Sequence, residues 1–138
     1  IRDRLRFPYG RCNDKALAAA AGAGLLSVQW DLVTGDPDPL VSAKTIANRI
    51  LTKVHPGAII VAHANGRGHN TSAALAIALP KLEEEGYSFV TVSELIDAGK
   101  PVIATSCYQE HPGDMTRIAR SNVGHGSHDL FTIFSAPN

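Results

Sequence analysis

The sequence has too few cysteines for a disulfide framework: Cys12 and Cys107 are the only two in 138 residues, and neither stands in a CxxC or zinc-knuckle spacing. It has no excess of charge, with 13 basic against 13 acidic side chains. It also has no lysine- and arginine-rich run, so nothing draws it to a phosphate backbone or an anionic lipid surface. Nucleic acid and membrane surfaces are therefore poor partners. Long apolar runs are missing too; stretches such as 16–23 and 58–62 fall far short of the roughly 20 residues that cross a bilayer. The opening residues, Ile1 to Arg6, hold no apolar h-region, no small-residue cleavage site and no initiating Met. That reads as a processed or cut N-terminus. What is present suits a globular domain: 44% hydrophobic residues in a chain long enough to remove about two thirds of its unfolded surface from water. One domain at most is expected, with no need of metal or disulfide staples.

Up to about Gly99 short apolar runs of strand length alternate with longer segments of helical spacing, the rhythm of parallel βα units. Leu5 to Phe7 closes a first strand, and Pro8-Tyr9-Gly10 turns the chain. Asn13-Asp14 then caps an alanine-rich helix from Lys15 to about Ala23. Leu26 to Trp30 is predicted as a second strand, followed by the loop Gly35-Asp36-Pro37-Asp38-Pro39, whose prolines forbid regular structure. Ser42 caps a helix to about Val54 with Ile46, Ile50, Leu51 and Val54 on one face. Residues 58–62 form a strand apolar on both faces, as buried parallel strands are. Asn70 or Thr71 opens a third helix carrying Leu75, Ile77, Leu79 and Leu82 and ending at Gly86. Phe89 to Val92 is predicted as a fourth strand and Ser93 to Ala98 as a short helix. Beyond Pro101 the rhythm fails. The rest is predicted as an irregular extension with one strand in the apolar stretch Leu130 to Phe134 and a short helix near Met115 to Arg120.

In parallel α/β architectures ligands bind at the carboxyl ends of strands, where loops and helix N-termini converge. This reading sends strand one to Tyr9 and Gly10, strand two to Asp31 and Asp36, and strand three to His63, Asn65 and Arg67, all on one face. His63 is a candidate general acid if a carboxylate orients its ring. Asp36 is the first candidate partner and Asp31 the second. Arg6, close to the same face, is a candidate to pair with a carboxylate or hold an oxyanion. Each has a plainer explanation as a turn cap, a hydrogen-bonded structural histidine or a solvated charge; three consecutive strand ends weigh against it. The backbone of residues 65–71 offers a weaker anion cradle, lacking the Walker lysine and the spaced glycines of a dinucleotide site. His125 and His128 have a chelating spacing, but in a glycine-flanked loop without carboxylates. Cys107 has no neighbouring base to make it a nucleophile.

Arg6-Phe7-Pro8-Tyr9-Gly10, then Val28-Gln29-Trp30-Asp31 with Gly35-Asp36-Pro37, then Ile60-Val61-Ala62-His63-Ala64-Asn65-Gly66 resemble the third, fourth and fifth motifs of the polysaccharide deacetylases, the NodB-homology family of carbohydrate esterases. Residues 86–95 resemble that family's closing strand and helix. The resemblance implies an α/β fold, the C-terminal half of a distorted (β/α) barrel over residues 1–99, with residues 100–138 an irregular extension packed on the same domain. It implies hydrolysis of N- or O-acetyl groups on a carbohydrate by a metal-activated water. Arg6 would orient the catalytic base, the backbone N–H of Tyr9 would bind the oxyanion, His63 would protonate the leaving group and Asp36 would tune His63. Trp30, Val61, Asp31 and Asn65 would contact substrate. Where the family often has Leu two residues before its histidine and Trp after its fourth-motif aspartate, this chain has Val61 and Pro37.

The family's first motif, an Asp-Asp pair, supplies the base and one metal ligand, and its second, His-x-x-x-His, supplies two more ligands. Neither occurs in these 138 residues. The expectation is a chain that holds no metal ligand itself. A divalent ion, zinc by expectation, and the base would then lie on an N-terminal part of the enzyme present as a second chain, needed also to cover an unpaired edge strand. The usual place of acetylated polymers implies an extracellular or cell-envelope location. Two other readings are a carbohydrate-binding or degenerate deacetylase module without catalysis, and a flavodoxin-like phosphate binder using residues 65–71.

Overall fold

The computed structural model describes residues 3–108, 131–134 and 136–137, and over them the chain is an α/β protein that divides into two compact units. The first unit holds residues 3–29 and 102–108; the second holds residues 30–101 and the C-terminal strands.

In the first unit β1 (Arg4–Leu5) and β2 (Leu26–Ser27) pair in parallel. They are joined through α1 (Asp14–Gly22), whose first turn is capped by the Asn13 carboxamide accepting from the Ala16 N–H at 2.8 Å. A tight 3-10 turn at Pro8–Gly10 follows β1. Cys12 and Cys107 are joined by a disulfide across a sequence separation of 95, with Cα atoms 5.7 Å apart. The Gln29 carboxamide donates to the Tyr108 carbonyl at 3.3 Å. A bridge closing so long a span removes much unfolded-chain entropy. Replacing both cysteines by serine is expected to cost about 2–4 kcal/mol, read as a lower urea midpoint that a reducing agent reproduces in the wild type and leaves unchanged in the double variant.

The second unit carries a three-stranded sheet in the order β3 (Leu32–Val33), β4 (Ile59–Ala62), β6 (Phe131–Phe134), and a two-stranded pair of β5 (Tyr87–Ser88) with β7 (Ala136–Pro137). β3 and β4 are parallel, with Leu32 opposite Ile60 and Val33 opposite Val61, and α2 (Ala43–Lys53) makes the crossover between them. α3 (Thr71–Glu84) follows β4 and packs against α2. The core is Ile46, Ala47 and Ile50 of α2, Ala74, Ala78 and Leu82 of α3, and Leu32 and Ile60 of the strands. The buried stripe of α3 runs at steps of four residues through two alanines, so small side chains bring α3 close to α2. The larger Ile77 stays 38% exposed.

The structure corrects several boundaries. The predicted strand Leu26 to Trp30 ends at Ser27, and a separate strand begins at Leu32 in another sheet. The predicted strand Phe89 to Val92 is displaced to Tyr87–Ser88. Thr91 instead caps α4 (Val92–Ala98), its side chain accepting from the Glu94 N–H while Glu94 reaches back to the Thr91 N–H. The Thr91 N–H and the Thr91 hydroxyl, both donating to Glu94 Oε2 at 2.8 Å, hold the exposed Glu94 carboxyl below its usual range. On the side away from β3, β4 is paired antiparallel with β6, Ile59 opposite Phe134 through Ala62 opposite Phe131. The expected strand near Leu130 to Phe134 is therefore present and covers it. The helix predicted near Met115 to Arg120 and the pair His125 and His128 lie outside the described residues.

Candidate active site

The site begins with a turn. Past the end of β3 the chain passes through Thr34 and then Gly35, whose φ of +79° lies in the left-handed region that favours glycine. A Cβ at Gly35 would also run into the Arg49 guanidinium, which reaches over from α2 and donates from Nη1 to the Thr34 carbonyl at 3.1 Å. This turn delivers Asp36 into the interior with only 1% of its surface exposed.

A buried carboxylate is costly unless every acceptor site is filled, and here both oxygens are doubly engaged. Oδ1 accepts from the Thr34 hydroxyl at 2.9 Å and faces His63 Nδ1 at 2.8 Å. Oδ2 accepts from the His63 N–H at 2.7 Å and from the Thr71 hydroxyl at 2.5 Å. Burial pushes the Asp36 carboxyl up, but the bonds from Thr71, the His63 backbone, the His63 ring and Thr34 together hold it below the usual carboxylate range. The group is therefore an anion, which only accepts, so His63 Nδ1 carries the hydrogen and Nε2 is the ring nitrogen not engaged by Asp36. His63, 5% exposed, is fixed at both its backbone and its ring by one carboxylate.

The loop after His63 is held equally tightly. The Asn65 side chain accepts from the Arg67 N–H at 3.1 Å, its carbonyl accepts from Gly68, and the His69 N–H donates to the Asp36 carbonyl at 3.2 Å. A Cβ on Gly68 would collide with the His63 carbonyl and the Thr71 hydroxyl, so only glycine lets the loop pass there. The N–H groups of 67, 68 and 69 are taken up by Asn65 and Asp36, which removes three donors from the weaker anion cradle that residues 65–71 offer.

Of the residues expected at this face, the structure brings Asp36 and His63 together and sets Asn65, exposed, two residues farther on. Val61 lies buried on β4, one position from the core residue Ile60 and so on the opposite side of the strand, and its carbonyl accepts from the Thr34 hydroxyl at 3.0 Å. Trp30 is half-buried at the start of the second unit. Asp31 is a correction. It precedes β3 rather than following β2, so it sits at the amino ends of β3 and β4, where its N–H donates to the Ile59 carbonyl at 3.1 Å and its carboxylate accepts from the Ile59 N–H at 2.7 Å. Its other oxygen pairs with His55. That placement rules it out as the partner of His63 and takes it away from the face assigned to substrate.

Arg6 and Tyr9 lie in the first unit. Arg6 is half-buried, and that desolvation pulls its pKa below the ordinary arginine value. Tyr9 has φ 58° and ψ 15°, a left-handed conformation that costs a non-glycine residue about 1–3 kcal/mol. The turn's own hydrogen bonds use the N–H groups of Gly10 and Arg11 and do not use that of Tyr9. Sequence reasoning missed Thr34 and Thr71; their only signals were a hydroxyl two residues before Asp36 and one at the first position of a helix. It also missed His55 as the partner of Asp31. Among the described residues no group of three or more His, Cys, Asp or Glu could hold a metal ion. These residues do not fit a metal centre.

No protein-family model matches the chain. Over 101 residues it is 37% identical to a peptidoglycan-N-acetylglucosamine deacetylase of Bacillus cereus, a match covering 70% of this chain and 47% of that protein. A chitooligosaccharide deacetylase of Sinorhizobium fredii is 34% identical over 95 residues, 60% of this chain and 43% of that protein. Among solved structures, the Bc1960 peptidoglycan N-acetylglucosamine deacetylase superposes with a TM-score of 0.63 at 30% identity, covering 73% of this chain and 48% of that one. The chain spans less than half the length of the curated relatives it matches, from 18% to 47%.

Proposed function

As the chain is a C-terminal portion of the polysaccharide deacetylase family, we propose that it carries the proton-donating half of a site that hydrolyses acetyl groups on a carbohydrate, with N-acetylglucosamine of peptidoglycan as the first substrate to test. The observation that carries this reading is the buried Asp36–His63 pair, 2.8 Å apart, on a carboxylate whose every acceptor site is filled. An amine leaves an acetyl carbon badly unless it is protonated as the bond breaks. His63, with Nδ1 held by Asp36, would deliver that proton from Nε2. The oxyanion formed on attack needs fixed donors, and the strained Tyr9 turn, which does not use the Tyr9 N–H, is suited to provide one. Arg6 would orient the base. Trp30 and Val61 would wall the acetyl methyl, and Asn65 would meet the sugar.

The base, the divalent ion and the rest of a (β/α) barrel would come from an N-terminal segment outside these 138 residues. The Cys12–Cys107 disulfide favours an oxidising compartment, which suits an envelope enzyme. No helix among the described residues is long and apolar enough to cross a membrane.

The test is complementation. The chain alone should release no acetate from acetylated oligosaccharides and should bind zinc only weakly. Co-production with an N-terminal deacetylase half bearing the Asp-Asp and His-x-x-x-His motifs should restore acetate release. Tight stoichiometric zinc binding or hydrolysis by the chain alone would overturn the division of labour. Oligosaccharide binding with no hydrolysis in the reassembled protein would favour a carbohydrate-binding module.

A further inference from the structure

The Asp36–His63 pair hangs on the turn Thr34–Gly35–Asp36. Thr34 sets it, being almost fully buried, with a hydroxyl whose single proton lies between Asp36 Oδ1 at 2.9 Å and the Val61 carbonyl at 3.0 Å. The Asp36 N–H points back at the same hydroxyl at 3.4 Å. The Thr34 carbonyl is turned the other way and is taken by Arg49 Nη1 at 3.1 Å. Gly35 adopts its left-handed conformation beside that guanidinium, where a Cβ would push the Arg49 fork aside. Arg49 is half-buried on α2, one residue before the core position Ile50.

We infer that Arg49 is a positioning residue for the candidate catalytic pair: it pins the Thr34–Gly35–Asp36 turn to α2 and so sets the aim of the Asp36 carboxylate at His63. Its hydrogen bond is to the Thr34 carbonyl, and it acts on Asp36 and His63 through that residue. Arginine suits the task because its planar fork donates in a fixed direction and keeps its charge when half-buried. Arg49 also lies outside the motifs that carried the resemblance. The inference rests on the proposed function for its consequence in catalysis, but its structural content, an arginine that fixes the Asp36–His63 geometry, does not.

The test therefore has two readouts. The hydrogen between His63 Nδ1 and Asp36 should give a downfield, slowly exchanging proton resonance in the isolated chain, assigned by its loss in His63→Gln. Arg49→Met, which keeps a long stem over Gly35 but removes the donor, is expected to lose or broaden that resonance while the amide spectrum of the core stays folded. Arg49→Lys should retain it in part, and Lys44→Ala, at an exposed site on the same helix, should leave it unchanged. In protein reassembled with the N-terminal half, Arg49→Met should lower kcat by about 10- to 100-fold with KM little changed, with partial rescue by lysine. A folded Arg49→Met with an unaltered resonance overturns the inference. A reassembled wild type with no activity, alongside the expected change in resonance, overturns the deacetylase reading and leaves the positioning role standing.

Discussion

Asp36→Ala is expected to destabilise the protein by about 3–5 kcal/mol, because it strands a set of donors in the interior rather than removing one contact. The Thr34 hydroxyl can fall back on the Val61 carbonyl. The Thr71 hydroxyl, the His63 N–H and the His63 ring each lose the acceptor described for them, and an unsatisfied buried donor costs about 1–3 kcal/mol. Asp36→Asn should cost less, about 1–3 kcal/mol by the same reasoning. Its carbonyl oxygen can keep the two donors at Oδ2. Its amide group at Oδ1 then faces His63 Nδ1, which must accept instead of donate, so the ring switches tautomer and no longer has a carboxylate to hold a second proton. Urea unfolding at neutral pH orders the three proteins as wild type, Asn, Ala. Near-equal midpoints for all three would mean that the network contributes little.

The same network gives a pH dependence of known sign. The folded-state pKa of Asp36 lies below its usual range, so the stability it contributes is fully present above the unfolded carboxyl value of about 4 and is lost as the pH falls through the lower folded value. Wild type and Asp36→Asn should therefore differ in urea midpoint at neutral pH and converge as the pH drops below about 4. A gap that stays constant into acid would assign the effect to shape rather than charge.

How far the sequence speaks for itself depends on whether the deciding interaction is local. The caps at Asn13 and Ser42 and the apolar face of α2 are legible because the residues that fix them lie within four positions of one another. The partnership of Asp36 with His63 was legible from strand-end logic and motif order, although 27 residues separate the two. The misplacement of Asp31 has the opposite origin. The alternation of apolar Leu26, Val28 and Trp30 with polar Ser27 and Gln29 suggests one strand, but the backbone leaves one sheet after Ser27 and enters another at Leu32, which moves Asp31 to the amino end. No local pattern encodes which neighbour a two-residue strand will choose; the pairing of Asp31 with the Ile59 amide decides it. Thr34, Thr71 and Arg49 were invisible for a related reason: threonines beside loops and an arginine on a helix are common, and only the packing of α2 and α3 makes these three converge on one carboxylate and its turn. The antiparallel strand Phe131–Phe134 was foreseen as a strand but not as the cover of β4, since that pairing joins residues about 70 apart.

His63→Gln is expected to remove nearly all acetate release from the reassembled enzyme, about 100- to 10,000-fold, with a much smaller effect on stability than Asp36→Ala. The contrast follows from what each side chain supplies. The His63 backbone N–H remains in the variant and still donates to Asp36 Oδ2, and Thr71 and Thr34 still donate, so the carboxylate keeps three of its four donors. What is lost is a group that can hold a proton at one nitrogen while another is held by Asp36, and no amide can replace it as an acid. The deficit should also depend on the leaving group. An ester expels an oxygen that departs with less help, so an activated acetyl ester should recover much of the lost rate while an N-acetylated sugar should not. Equal losses on both substrates would mean that His63 shapes the pocket rather than donates a proton, and full activity in His63→Gln would remove the pair from the catalytic machinery altogether.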